Sequence, residues 1–183
     1  MIRSIKEKHS SLRQRHGGVM TLLGAICLHL YCGSLYIWGN IDIYIASYLR
    51  KFDPTLTVNT TFSIFPVIVI TGTFLMPLGE HLARTCHPRF VILLGAGVSL
   101  SGIFASSFVT RFEVFVFSYG LCFGFGNATL YILAIVCTWT YFPRRRGLIN
   151  GLDIAHFGLG SFVFNIAATW LVNPQNHSPS VEY

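Results

Sequence analysis

Charge is what this sequence has least of. Only 11% of its 183 residues are charged and 7 are acidic, against roughly a quarter charged in soluble domains. Its residues are 52% hydrophobic, and phenylalanine alone fills 16 positions. So few polar groups cannot cover that much apolar surface in water, which excludes an ordinary soluble domain. Nucleic-acid binding is excluded as well. The net charge is +6, but the basic residues sit in short clusters beside apolar runs, with no stripe interleaved with exposed aromatics. The five cysteines form no disulfide framework. Cys27, Cys32, Cys122 and Cys137 fall inside apolar runs and Cys86 lies in a connection, where a thiol behaves as a small hydrophobe. No metal-ligand spacing, nucleophile–base pair or nucleotide motif is found. No catalytic residue, metal or cofactor is therefore expected, and the chain does not read as an enzyme.

What is present is a series of apolar runs long enough to cross a bilayer, which takes about 20 residues as a helix. They predict an all-α membrane protein of about five transmembrane helices. A cytosolic basic leader covers 1–18. The spans fall near 19–41 (continuing toward Tyr48), 60–82, 89–109, 113–141 and 147–172, and a polar extracytosolic tail covers 173–183. The first run is too long for a cleavable signal, and Tyr36, Trp38 and Asn40 stand where small cleavage-site residues would be needed. Arg3, Lys6, Lys8, Arg13, Arg15, Arg84, Arg89, Arg144, Arg145 and Arg146 lie on one side of this arrangement. Arg50, Lys51 and Arg111 lie on the other. The excess of basic residues marks the cytosolic side, so the N-terminus is expected in the cytosol and the C-terminus outside. The glycosylation pattern occurs at Asn59, Asn127 and Asn176, of which Asn59 and Asn176 fall outside, near helix ends.

The polar residues within the runs are ordered. His29, Gly33, Tyr36 and Asn40 are spaced by 4, 3 and 4, which is one face of helix 1. Helix 4 carries a similar series, Gly120, Gly124, Asn127 and Tyr131. Small residues allow close helix approach, and polar ones in lipid must face protein or a water-filled cavity. The glycines read as packing. Tyr36, Asn127 and Tyr131 fit packing or a solute-lining role equally, and His29 fits a satisfied core histidine or a proton carrier. Ser34-Leu-Tyr-Ile and Thr129-Leu-Tyr-Ile faintly echo each other, as three-helix repeats would place helices 1 and 4 in equivalent positions. Asp153 is read as the only acidic residue well inside a predicted span, and an intramembrane carboxylate is a functional candidate. Two roles stand for it: a structural or gating ion pair with Arg144–Arg146, about two turns away, or a proton relay with His156 on the same face.

The run Tyr141-Phe-Pro-Arg-Arg-Arg-Gly-Leu-Ile-Asn-Gly, followed by His156-Phe-Gly-Leu-Gly, resembles the helix 4–5 junction of the major facilitator superfamily. More narrowly, it is similar to the monocarboxylate-transporter-like and oxalate–formate-antiporter-like branch. Tyr36-Ile-Trp-Gly, Gly124-Phe-Gly and Asn173-Pro fit the same branch. The resemblance runs from about Gly17 to Pro174 and matches helices 1–5 of an N-terminal six-helix bundle. It implies a secondary, alternating-access transporter of small organic anions such as monocarboxylates, with a proton as a further partner. A second transporter half or a dimer partner would complete it, in the plasma membrane or an organelle membrane. Solute-pathway candidates are His29, Tyr36, Asn40, Asn127 and Tyr131. Gating or coupling candidates are Arg84, Arg89, Arg144, Arg145, Arg146, Asp153 and His156. The sequence departs from the family in its 2–3 connection, where Gly79 and Arg89 are kept but Arg84 stands in place of an acid. Glu80, one turn earlier, is the candidate substitute. A non-transporting membrane subunit that kept the scaffold is the alternative reading.

Overall fold

A computed structural model describes residues 2–172, with side chains from His16 onward. The leader side chains before His16, and Asn173-Pro, Asn176 and the rest of the tail, lie outside the described residues. Among the described residues, five helices are long and apolar enough to cross a membrane: α1 (His16–Arg50), α2 (Val58–Thr85), α3 (Pro88–Ser106), α4 (Phe112–Tyr141) and α5 (Arg146–Val172). The backbone ahead of α1 is helical from Ile2. The chain is therefore an all-helical integral membrane protein, and among the described residues no strand interrupts it.

The helix ends follow local chemistry. Thr57 caps α2, accepting from the Thr60 backbone N–H at 3.2 Å. The His87 ring caps α3 by accepting from Arg89 N–H at 3.3 Å, with Pro88 at the first helical position, where its missing N–H costs nothing. α3 stops at Ser106, short of the predicted Val109. Ser106 and Ser107 turn their hydroxyls back onto Ile103 and Phe104 carbonyls, and such local bonds compete with helix continuation.

Two helices depart from regular geometry. α1 tightens to a 3-10 turn over Gly33–Ile37, and α4 widens to a π-helix over Val116–Leu121. Interruptions of this kind change which way the following residues face and recur at functional sites.

α4 is the centre of the bundle. Half of its apolar stretch is buried, against 6% of that of α5, and it packs on α1, α2 and α3. The α3–α4 contact depends on small residues: a side chain at Gly126 would strike Ser99 and the Gly95 carbonyl, and one at Gly102 would strike Cys122. Toward the Arg50 end of α1 lies an aromatic core. Trp38 is fully buried with Ile64, Phe115 and Phe123 around it, and Phe115, Tyr119 and Phe123 stack along α4 at 5.5 and 5.6 Å. α5 packs chiefly on α1 and leaves Ile154, Phe162, Ile166 and Trp170 exposed. In a bilayer that surface costs nothing, because lipid tails are as apolar as the side chains.

Candidate functional site

The predicted polar face of α1 lies along α5, residue against residue. His29 meets Asp153 and Tyr36 meets Phe157, ring centroids 5.7 Å apart. Asn40 donates from Nδ2 to Asn165 Oδ1 at 2.8 Å. Between them Gly33 is pressed on the backbone of Phe157 and Ser161, and Gly160 on that of Leu30, so closely that a Cβ at either would collide. The spacing of 4, 3 and 4 thus marks a helix-crossing seam, and glycine is required at its tightest point.

The crossing brings together two ionisable groups with no exposure. His29 Nδ1 is 3.7 Å from Asp153 Oδ1, with side-chain exposures of 0% and 1%. Nδ1 also lies 2.9 Å from the Ala25 carbonyl, which only accepts, so this nitrogen carries the proton. Among the described residues, His29 Nε2 and both Asp153 oxygens have no hydrogen-bond partner. An ionised carboxylate buried without donors is expensive, so this pair must balance its charge internally or hold an added proton.

Asp153 does not pair with the arginine cluster as the sequence suggested. Arg144, Arg145 and Arg146 are exposed. Arg146 instead lies over the Trp139 ring at 5.3 Å, and Trp139 Nε1 donates to Asn150 Oδ1 at 2.8 Å. Two turns of helix are enough to separate a carboxylate inside the bundle from arginines at its rim. His156 is no direct partner either: its Nδ1 is 2.7 Å from its own Leu152 carbonyl. Nor is Asp153 the sole carboxylate inside a span. α1 runs on to Arg50, which places Asp42 well within it, 4% exposed.

Beside the seam is a cavity of about 280 Å³, lined by α1, α2, α4 and α5 through Tyr36, Thr73, Met76, Asn127, Tyr131 and Phe157 among others. Three predicted pathway residues, Tyr36, Asn127 and Tyr131, share its wall. Asn127 is also structural, since its Nδ2 donates to the Cys32 carbonyl at 3.0 Å and its own carbonyl accepts from Cys32 Sγ at 3.7 Å. Tyr131 connects the cavity to the buried pair: its ring is 4.9 Å from that of His29 and 5.9 Å from that of Phe157. His29 sits behind this wall rather than in it, and Asn40 belongs to the α1–α5 contact. A larger groove of about 540 Å³ opens between α1, α3 and α4, with Ala25, Pro88, Leu133 and Cys137 on its walls. None of the predicted site residues lines it.

In the last turns of α2 Arg84 donates to Glu80 Oε1 from Nη2 at 2.8 Å and from Nε at 3.0 Å. Both side chains are about half exposed (59% and 46%), so this ion pair stays on one helix. Arg89 is exposed at the start of α3. Several contacts escaped the sequence reading. Phe157 and Cys32 carry no outward signal. Asn165, however, is a lone amide in an apolar run, the type of residue that bridges membrane helices, and Ser99, which meets Tyr31 OH at 2.6 Å, lies among the small residues of α3. No three His, Cys, Asp or Glu side chains among the described residues are grouped to hold a metal.

The fold is that of a polytopic membrane protein, with a polar seam between α1 and α5 and a small cavity beside it. Comparison with known proteins narrows this. The chain is 37% identical to an MFS-type transporter of Gibberella zeae over 85% of its own length and 35% of that protein's. It is 27% identical to apicoplast pyruvate carrier 1 of Toxoplasma gondii, covering 95% of the chain and 38% of the carrier. With monocarboxylate transporter 13 of Bos taurus the figures are 28%, 81% and 35%. The chain belongs to the major facilitator superfamily, among its monocarboxylate-transporter-like sequences. It spans little more than a third of the length of these relatives. No family model matches it, and no solved structure does.

Proposed function

We propose that this chain forms part of a secondary transporter of small organic anions such as monocarboxylates, working by alternating access. The observation that carries the reading is the cavity of about 280 Å³ walled by Tyr36, Asn127 and Tyr131. That volume accommodates a small carboxylate. Hydroxyl and amide groups in an apolar wall can orient a carboxylate, and the names of the relatives supply the solute class. Asn40, with Asn165, and the glycine seam would let α5 rock on α1. Arg144, Arg145, Arg146 and Arg89 would face the cytosol and bias the inward-closed state. The N-terminus is then cytosolic and the C-terminus extracytosolic, and a second half or a second copy completes the pathway. The membrane is the plasma membrane or that of an organelle.

The experiment is uptake of radiolabelled pyruvate, with an acidic exterior, into proteoliposomes made from the chain purified from its native membrane together with the second half or copy that accompanies it. Saturable uptake, lost in Tyr131→Phe with Asn127→Ala, supports the reading. Uptake no faster than in protein-free liposomes sinks it and leaves the second reading, a membrane subunit that kept the scaffold. That alternative draws on the Glu80–Arg84 pair, which closes within α2 and so makes no latch to another helix.

A further inference from the structure

Beyond solute binding stands the unexplained chemistry at the α1–α5 crossing. Three polar atoms there, His29 Nε2 and both oxygens of Asp153, are buried without a hydrogen-bond partner among the described residues, and the two side chains approach to 3.7 Å. A pair meant only to hold helices together would use its donors and acceptors, as Asn40 and Asn165 do a few turns away. We propose that His29 and Asp153 form one occluded proton-binding site, whose charge is felt in the cavity through Tyr131.

The charge balance follows from the two side chains. With no added proton the pair is an anion, with one it is neutral, and with two it carries a single positive charge. The residues lining the cavity include no lysine or arginine. Along α5 the nearest is Arg146, seven residues before Asp153 and so about 10 Å away along the axis. The titratable groups facing the pair and its tyrosine are Cys32 from α1, Tyr131 from α4 and His156 from α5, and none of them supplies a fixed positive charge. A carboxylate solute entering beside Tyr131 is repelled by the anionic pair and attracted by the doubly protonated one. Anion binding and proton uptake are then linked, each strengthening the other by the same factor. This last link rests on the transporter reading; the proton site does not.

The test is infrared difference spectroscopy of the purified protein between alkaline and acidic pH. The expected spectrum contains the carbonyl band of a protonated carboxyl group that is lost in Asp153→Asn. The band should move in Asp153→Glu, and its titration midpoint should shift in His29→Gln. A band unchanged in Asp153→Asn overturns the site. Should that variant not assemble, a band in Asp153→Glu at the wild-type position and midpoint does the same. Added pyruvate should move the midpoint to higher pH, since the anion favours the protonated pair; an unmoved midpoint overturns the linkage. A protein with the band but without pyruvate uptake refutes transport and keeps the proton site. A protein with uptake but no Asp153-dependent band does the reverse.

Discussion

Asn127 on α4 and Cys32 on α1 bond each other twice, the amide Nδ2 donating to one carbonyl and the thiol to the other, at 3.0 and 3.7 Å. The contact ties the central helix to the one that carries the seam, next to the cavity. Replacing Asn127 by Ala removes the amide donor and leaves part of the Cys32 carbonyl unmet. The expected loss is about 1 kcal/mol, the scale of an interhelical hydrogen bond in a membrane, read as a lower unfolding midpoint in detergent. Cys32→Ser keeps a donor and should cost less. Equal losses from the two changes would mean that packing, not hydrogen bonding, governs the contact.

The glycines separate into two groups by what surrounds them. A Cβ at Gly33 or Gly160 meets backbone of the opposite helix, which cannot rotate away, while a Cβ at Gly39 or Gly158 meets nothing within 4 Å. Gly33→Ala and Gly160→Ala should therefore push α1 and α5 apart and lose about 1–3 kcal/mol, the usual cost of overpacking. Gly39→Ala and Gly158→Ala should be neutral or slightly stabilising, because alanine is the better helix former. Thermal unfolding of the four variants side by side checks this, and a uniform response would contradict the tight crossing.

The same seam shows what the sequence could and could not tell. The spacing of His29, Gly33, Tyr36 and Asn40 identifies one helical face, since helical periodicity needs only neighbours along the chain. It says nothing of what the face meets, because Asp153, Phe157 and Asn165 lie on the far side of three intervening helices. Proximity in sequence even misled, pointing Asp153 toward His156 and the arginines. Histidine bonds back to its own helix there, and arginine extends to the rim, so the partner comes from α1. Composition and apolar length made the five helices legible, but the 3-10 turn in α1 and the π-helix in α4 left no such mark. Spacing and polarity single out Tyr131 on one face of helix 4; its place between the cavity and His29 exists only in three dimensions.

In the α1–α2 connection, Thr55 donates to Asp53 Oδ1 from its hydroxyl at 2.6 Å and from its backbone N–H at 3.0 Å. These bonds, the hydroxyl's first, hold the Asp53 carboxyl below its ordinary value. A depressed carboxylate stabilises the folded state above its unfolded pKa, near ~3.9, and loses that contribution as pH falls through the lower folded value. Thr55→Val, which deletes the stronger donor, should bring Asp53 back toward the ordinary value. The difference between wild type and variant should be present at neutral pH and vanish in strong acid, as followed by the unfolding midpoint against pH. A difference that grows on acidification would carry the wrong sign for this contact.

The Glu80–Arg84 pair is exposed, on one helix, and four residues apart, so it should be weak. Such pairs contribute about 0.3–0.5 kcal/mol and fade with salt. Glu80→Gln should accordingly leave the unfolding midpoint almost unchanged, and high salt should erase what difference there is. Its effect on orientation should also be nil, because acidic residues count little in membrane topology. The arginines differ in this respect. Arg144, Arg145 and Arg146 are exposed between α4 and α5, where positive charge holds a connection on the cytosolic side. Replacing all three by Gln should let a fraction of chains insert with this connection outside. A cysteine introduced at Gly147, which faces open space, would report it through labelling by a membrane-impermeant thiol reagent on intact cells. Labelling should be absent in the parent and appear in the triple variant but not in Glu80→Gln. Strong labelling in the parent would reverse the proposed orientation and with it the side from which the arginines act.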